Sequence, residues 1–407
     1  MRYAHQSDNS ELKKHVFHTL NQISFGGIYD HAGGGFSRYS TDKKWHVPHF
    51  EKMLYDNAQL VSLYSDAFLV TKNDWYKQVV YETLEFIARE LTDKEGAFYS
   101  SLDADSLSGT GELEEGAYYV WQKAELQELL KADFELFSDY YNINSYGIWE
   151  HNKYILIRNK SDSDFITKHQ IYREDFFLKQ KQWKKILFEN REKRERPRLD
   201  DKSLTSWNAL MLKGYVDAFR VFNKASFLDV ALKNANFIIT NQLEDSGRLF
   251  HNYKDGKTTI NGYLEDYATT IEAFIALYEV TLNEDYLELS KKMAGYVEKH
   301  FNNNISNLYY FTSDLDTSLV SRSIKFSDNV IPASNSIMAK NLYKLYHHSS
   351  NPVYLDISKK MIHDVQPSFE NYPSGYSNWL DLYLNFTYPF YEVIVTGKNA
   401  QNKIQEI

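Results

Sequence analysis

The residues best suited to chemistry gather in five short blocks. The densest runs from Arg38 to Asn57 and holds Trp45, His49, Glu51, Lys52 and Asp56. Groups that donate, accept and carry protons stand there beside aromatic rings, as in a site that moves protons on a polar ligand. Pro48 suits the first turn of a helix, where its missing N–H costs nothing. On such a helix Lys52 and Asp56 fall one turn apart, as an i, i+4 pair. The second block is Asp103 and Asp105, followed by Glu114, Glu115 and Trp121. Clustered carboxylates serve as general acid and base or hold a hard cation, and Asx turns account for them as readily.

The remaining blocks are Asp200-Asp201-Lys202 with Ser206-Trp207-Asn208, then Glu265-Asp266-Tyr267, then Asp328 with Ser334-Asn335-Ser336. Each falls at an expected helix start. Capping and the helix dipole explain an acid there. Recurrence adds a functional reading, because a ring of carboxylates, amides and hydroxyls with tryptophans has the character of a carbohydrate cleft. The acid–base candidates are Glu51, Asp56, Asp103, Asp201, Glu265 and Asp266. The candidates for substrate contact are Arg38, Trp45, His49, Lys52, Asn57, Asp105, Trp121, Trp207, Asn208, Tyr267, Asp328, Ser334 and Asn335. His31, His46, His49 and His251 form no His-x-x-x-His pair, and Gly33-Gly34-Gly35 lacks the lysine of a phosphate loop. No metal and no cofactor is expected.

Four copies of one unit position these blocks. Each is a helix, a short turn containing asparagine, and a second helix. The copies begin at Pro48, Ser206, Gly262 and Pro332, and their turns hold Asn73, Asn223, Asn283 and Asn351. Apolar residues recur at helical spacing, as in Ala209, Leu212, Val216 and Phe219. Asparagine suits a left-handed helix end or the cap of the next helix. An aromatic after each turn (Tyr76, Phe227, Tyr286, Tyr354) and another eight residues earlier (Phe68, Phe219, Tyr278, Tyr346) predict a shared staple. Short β-hairpins are expected at Glu95–Tyr99, Ser246–Phe250 and Asn307–Phe311. Helix pairs with one apolar side must stack or close to bury it. The expectation is an all-α protein, an α/α toroid, as one domain over 1–407. The first and second copies are far apart, so one pair is embellished. Its parts are Gln122–Leu130 and a charged, solvated excursion over 160–200.

The totals exclude several classes. A net charge of −9 argues against nucleic acid as the main partner. No run approaches the ~20 apolar residues of a membrane helix. The absence of cysteine removes disulfides and thiol nucleophiles. Met1–Ser10 is polar, and a cytoplasmic location is expected. The 32 tyrosines can line a wet cavity, each with an apolar body and a polar tip.

The segments Gly26–Asp30, Gly33–Ser40, Trp45–Asn57, Asp103–Ser106, Glu115–Trp121, Asp201–Asn208, Glu265–Ala268 and Asp328–Ser336 resemble, in this order, the helical part of a known family. It is the thioredoxin-domain-containing family that includes spermatogenesis-associated protein twenty. The resemblance covers nearly the whole chain, and Trp45–Asn57 is its most specific part. It implies a fold similar to the six-hairpin, glycosidase-like toroids of N-acylglucosamine 2-epimerases and glycoside hydrolases. It also implies an N-terminal thioredoxin-like domain with paired cysteines and an earlier helix, neither present in this chain. The toroid is therefore expected to be incomplete, with a strand-like run starting in Tyr391–Ile407. The catalytic histidines of the 2-epimerases have no clear counterpart, Tyr267 standing in that inner-helix motif. Two functions follow. One is an enzyme acting on a sugar or glycoconjugate, hydrolase-like or epimerase-like, by carboxylate acid–base chemistry. The other is a non-catalytic toroid that binds a small molecule or glycan and partners a thioredoxin-like redox domain supplied elsewhere.

Overall fold

Turn residues divide the chain into helices much as the repeats predict. A computed structural model describes residues 1–317, 321–389, 391, 393, 395–400 and 403. Its helices are α1 (Arg2–Gln6), α2 (Ser10–Phe25), α3 (Leu54–Thr71), α4 (Asp74–Glu90), α5 (Lys123–Leu130), α6 (Phe134–Tyr140), α7 (Asp162–His169) and α8 (Arg173–Arg191). They continue as α9 (Thr205–Phe222), α10 (Ala225–Asn241), α11 (Leu264–Thr281), α12 (Glu284–His300), α13 (Ser334–Ser349), α14 (Pro352–Val365) and α15 (Ser377–Thr387). The strand-like run expected within Tyr391–Ile407 lies partly outside the described residues.

The four repeats are the hairpins α3/α4, α9/α10, α11/α12 and α13/α14. Each first helix ends on a left-handed residue: Lys72, Asn223, Leu282 or Ser350. Asn73, Asn283 and Asn351 then cap the second helix by accepting an N–H of its first turn. Asparagine thus ends a helix in one turn and starts one in the other three.

The first helices form an inner layer, with α3 against α9, α9 against α11, α11 against α13 and α13 against α15. Gly214 of α9 permits a close approach to α3, since a β-carbon there would lie 3.0 Å from the Ala58 carbonyl. Inner helices are apolar on several faces because neighbours cover them on several sides. In α11, Leu264, Ala268, Ile271, Phe274 and Leu277 are all fully buried. The partner helices α4, α10, α12 and α14 form the outer layer. The remaining arc is held by α1 and α2. Arg2 pairs with Asp381 of α15, and Tyr64 of α3 donates to the Leu20 carbonyl of α2. This is an α/α toroid with short β-pairs in its loops.

Three expectations change. The first inner helix starts at Leu54, not Pro48. Pro48–His49 instead pairs with Tyr39–Ser40, and Lys52–Met53 pairs with Ser101–Leu102. The backbone of residues 48–53 is therefore extended, and Lys52 and Asp56 do not share a helix face. The aromatic staple spans twelve residues rather than eight: Tyr64–Tyr76, Tyr215–Phe227 and Phe274–Tyr286 have ring centroids 5.5, 6.3 and 5.6 Å apart. The residue eight positions earlier sits one turn nearer the bend, on the half-exposed rim. Finally, the charged segment is not merely solvated. Helices α5 to α8 enclose a second apolar core with Trp121, Phe137, Tyr140, Phe165, Phe176 and Trp183 at its centre.

Candidate active site at the starts of the inner helices

Successive inner helices run the same way, since each is followed by an antiparallel partner. Their first turns therefore share one end of the toroid. Asp56 is the third residue of α3. Its Oδ2 is buried and has no hydrogen-bond partner. Burial raises its pKa to about 7, with Arg38 opposing the rise and Glu51 adding to it. Arg38 Nη1 donates to Glu51 Oε2 at 3.3 Å. His49 lies between two carboxylates, with Nδ1 2.7 Å from Glu115 Oε1 and Nε2 3.6 Å from Glu51 Oε2. Tyr39 stacks on the His49 ring at 5.1 Å, and Tyr55 meets Trp207 of α9 edge-on at 4.8 Å.

Beside Trp207, the chain passes to a second polar group. The Ser206 N–H donates to Asp266 Oδ1 at 2.9 Å. Asp266, fully buried in the first turn of α11, also accepts the Tyr263 N–H at 2.8 Å. His251 Nδ1 lies 2.9 Å from Asp266 Oδ2. Burial lowers the His251 pKa, but the hydrogen bond and charge of Asp266 outweigh it, and the net shift is upward from 6.5. Burial and the Asp266 charge raise Glu265. Ser206 Oγ and Ser334 Oγ are buried without partners at the starts of α9 and α13. This end of the toroid can thus hold and exchange protons near neutral pH.

Several residues expected to contact substrate belong to the wall instead. Asn57, Asn208 and Asn335 are fully buried clamps. Asn57 accepts the Phe36 N–H at 2.7 Å and donates to its carbonyl at 3.0 Å. Asn208 does the same to Phe98, at 2.7 and 3.0 Å. Asn335 does so to Tyr309, at 2.8 and 3.0 Å. Tyr267 fills the matching place in α11, its hydroxyl accepting the Leu249 N–H at 2.9 Å. Each ties the loop after an outer helix to the next inner helix. Trp121 is buried in the second core, stacked under Arg194. Trp45 packs half-buried on the main core, and its carbonyl accepts the Gly27 N–H at 2.7 Å. Lys52 is turned away to Asp30. Asp328 caps two helices, accepting from Ala333 N, Ser336 Oγ and Asn378 N at 2.9, 2.9 and 2.8 Å. Asp105 lies on the exposed pair Asp105–Leu107 with Leu113–Glu115. Asp103 approaches Arg198 at 3.8 Å, and exposed Asp201 pairs with Lys254.

The structure thus gathers Arg38, His49, Glu51, Asp56 and Trp207 in one group, and Glu265 and Asp266 in the neighbouring one. It adds two residues that the site candidates omitted. Glu115 reaches His49 across 66 residues of sequence. His251 stands out in the sequence only as a loop histidine, 15 residues from Asp266, with no spacing that pairs them.

In an alignment of 379 residues that covers 86% of this chain, it is 32% identical to spermatogenesis-associated protein 20 of Homo sapiens. The chain is homologous to spermatogenesis-associated protein 20. An uncharacterized protein of Caenorhabditis elegans is also 32% identical, over 356 residues. The chain spans about half the length of these relatives, 48% of each. No family model matches. Among solved structures, the cellobiose 2-epimerase of Spirochaeta thermophila superposes with a TM-score of 0.55. The match covers 91% of this chain and 72% of the epimerase at 12% identity, a likeness of fold. Among the described residues, no helix is long and apolar enough to cross a membrane.

Proposed function

We propose that the shared end of α3, α9 and α11 is the active site of a carbohydrate-directed enzyme working by proton transfer. The observation that carries this reading is Asp56. One of its carboxyl oxygens is buried and unpartnered, its pKa is raised to about 7, and Arg38, Glu51 and His49 stand on the open rim beside it. General acid–base catalysis is most effective when the group titrates near the working pH. His251 is the second proton carrier. Asp266 fixes its Nδ1, which leaves Nε2 to face a ligand. Tyr39 and Trp207 offer flat faces on which a sugar ring can stack, with Arg38 beside them for its hydroxyls. Epimerisation and glycoside hydrolysis both require one group to give a proton and another to take one. The fold likeness to a cellobiose 2-epimerase agrees with this substrate class.

The test is a thermal-shift screen over a sugar panel, followed by turnover assays on each hit. Asp56→Asn and His251→Gln should each reduce turnover at least about a hundredfold while still binding the sugar. Turnover unchanged in both variants would overturn the proposal. Binding without turnover in the unmodified chain would leave a recognition surface, consistent with a non-catalytic toroid.

A further inference from the structure

A cavity lies between α4 and the inserted helices. It measures about 190 Å³, well beyond the ~10–15 Å³ a single water requires. Lys52 lies at its base with a side chain only 1% exposed. Its Nζ donates to Asp30 Oδ2 and to the Gly34 carbonyl, both at 2.8 Å. An ammonium carries three donors, so one remains. Arg191 of α8 gives Nη1 to both oxygens of Asp30 at 2.8 Å, and its Nε, also buried, has no partner. Tyr119 Oη is likewise buried without a partner. At the rim, Arg89 and Arg196 both pair with Glu90, and Arg196 also with Glu192. Four cations thus face three carboxylates, Asp30, Glu90 and Glu192, and one positive charge is left over.

A buried Lys–Asp–Arg group used only as scaffold should have its remaining donors satisfied, because desolvating charges is costly. Here Arg191 Nε and Tyr119 Oη are unmatched beside the surplus charge, while the walls are apolar. Phe86, Leu102 and Tyr118 form them. We infer that this cavity binds a small organic anion, its acidic head taken by Lys52, Arg191 and Tyr119 and its flat apolar body lying against Phe86 and Tyr118. Hydrogen bonds to an ionised acceptor are about twice as strong as neutral ones, so such a head gains more here than a water would. The inference does not depend on the proposed sugar site.

The probes are benzoate and phenyl phosphate, with benzamide as the neutral control, measured by isothermal titration calorimetry on the full chain. One equivalent of benzoate or phenyl phosphate should bind saturably, and benzamide should not. Tyr119→Phe, which keeps the ring, and Arg89→Gln, at the rim, should each weaken binding about tenfold. Asp56→Asn should leave it unchanged. Absence of saturable binding by both anions would refute the site, as would equal binding of benzamide. Undiminished binding in both cavity variants, or its loss in Asp56→Asn, would place the anion elsewhere and refute it too.

Discussion

Asp266 joins three elements at one carboxylate: it caps its own helix, accepts the Ser206 N–H of α9, and holds His251 Nδ1 at 2.9 Å. The histidine's pKa is raised by this partner against the effect of burial. The charged imidazole is thus preferred in the folded state. Its stabilisation is complete below the ordinary value of 6.5 and is lost as pH rises through the higher folded-state value. His251→Gln should therefore cost about 1–2 kcal/mol at about pH 5.5 and little at about pH 9, measured by urea unfolding. A cost that grows with pH would contradict the assignment.

Asp56 has the opposite significance for stability. Its pKa of about 7, against 3.8 ordinarily, means that folding favours the neutral carboxyl. The stability this gives is present below 3.8 and is lost as pH climbs to about 7. Asp56→Asn stays neutral throughout. At about pH 8 it should be more stable than the unmodified chain by on the order of 2 kcal/mol. Paired unfolding curves at acid and alkaline pH would detect this, and a variant less stable at both would count against the unpartnered carboxyl.

Asn208 makes the converse case, a polar residue with a structural task. Asn208→Ala leaves the Phe98 N–H and carbonyl without their buried partners. The expected loss is roughly 2–6 kcal/mol, at about 1–3 kcal/mol per orphaned group. Asn57→Ala should behave alike. Sugar binding in whatever fraction stays folded should be unaffected, which calorimetry can verify.

The inserted core should unfold apart from the inner helices. Trp183 is fully buried in it and donates to Asp133 at 3.1 Å. Trp183→Ala should cost about 3–5 kcal/mol within that core. Hydrogen exchange should then speed up over α5 to α8 and remain slow in α9 and α11. Uniform acceleration through α9 and α11 would mean that the two cores melt as one.

The helical repeat was legible because its signals are local. Asparagine at Asn73, Asn283 and Asn351, and apolar spacing in α9 and α11, depend only on residues a turn or so apart. Long-range pairing was not. Pro48 fits a helix start by local rules, yet antiparallel pairing with Tyr39–Ser40 draws it into a strand. The charged surface of α8 concealed an apolar face that only α5, α6 and α7 reveal.

At the candidate site, the groups that stand at the inner-helix starts are legible along the chain, since capping and polarity depend on neighbouring residues. What each group does there follows from segments that packing brings together from far apart. Asn208 and Asp56 occupy adjacent-looking positions in matching helices, but one meets a backbone amide and carbonyl while the other buries one carboxyl oxygen without a hydrogen-bond partner. The union of His251 with Asp266 was decided in the same way, because a hydrogen bond forms between atoms that the fold brings within 3 Å, whatever their separation along the chain.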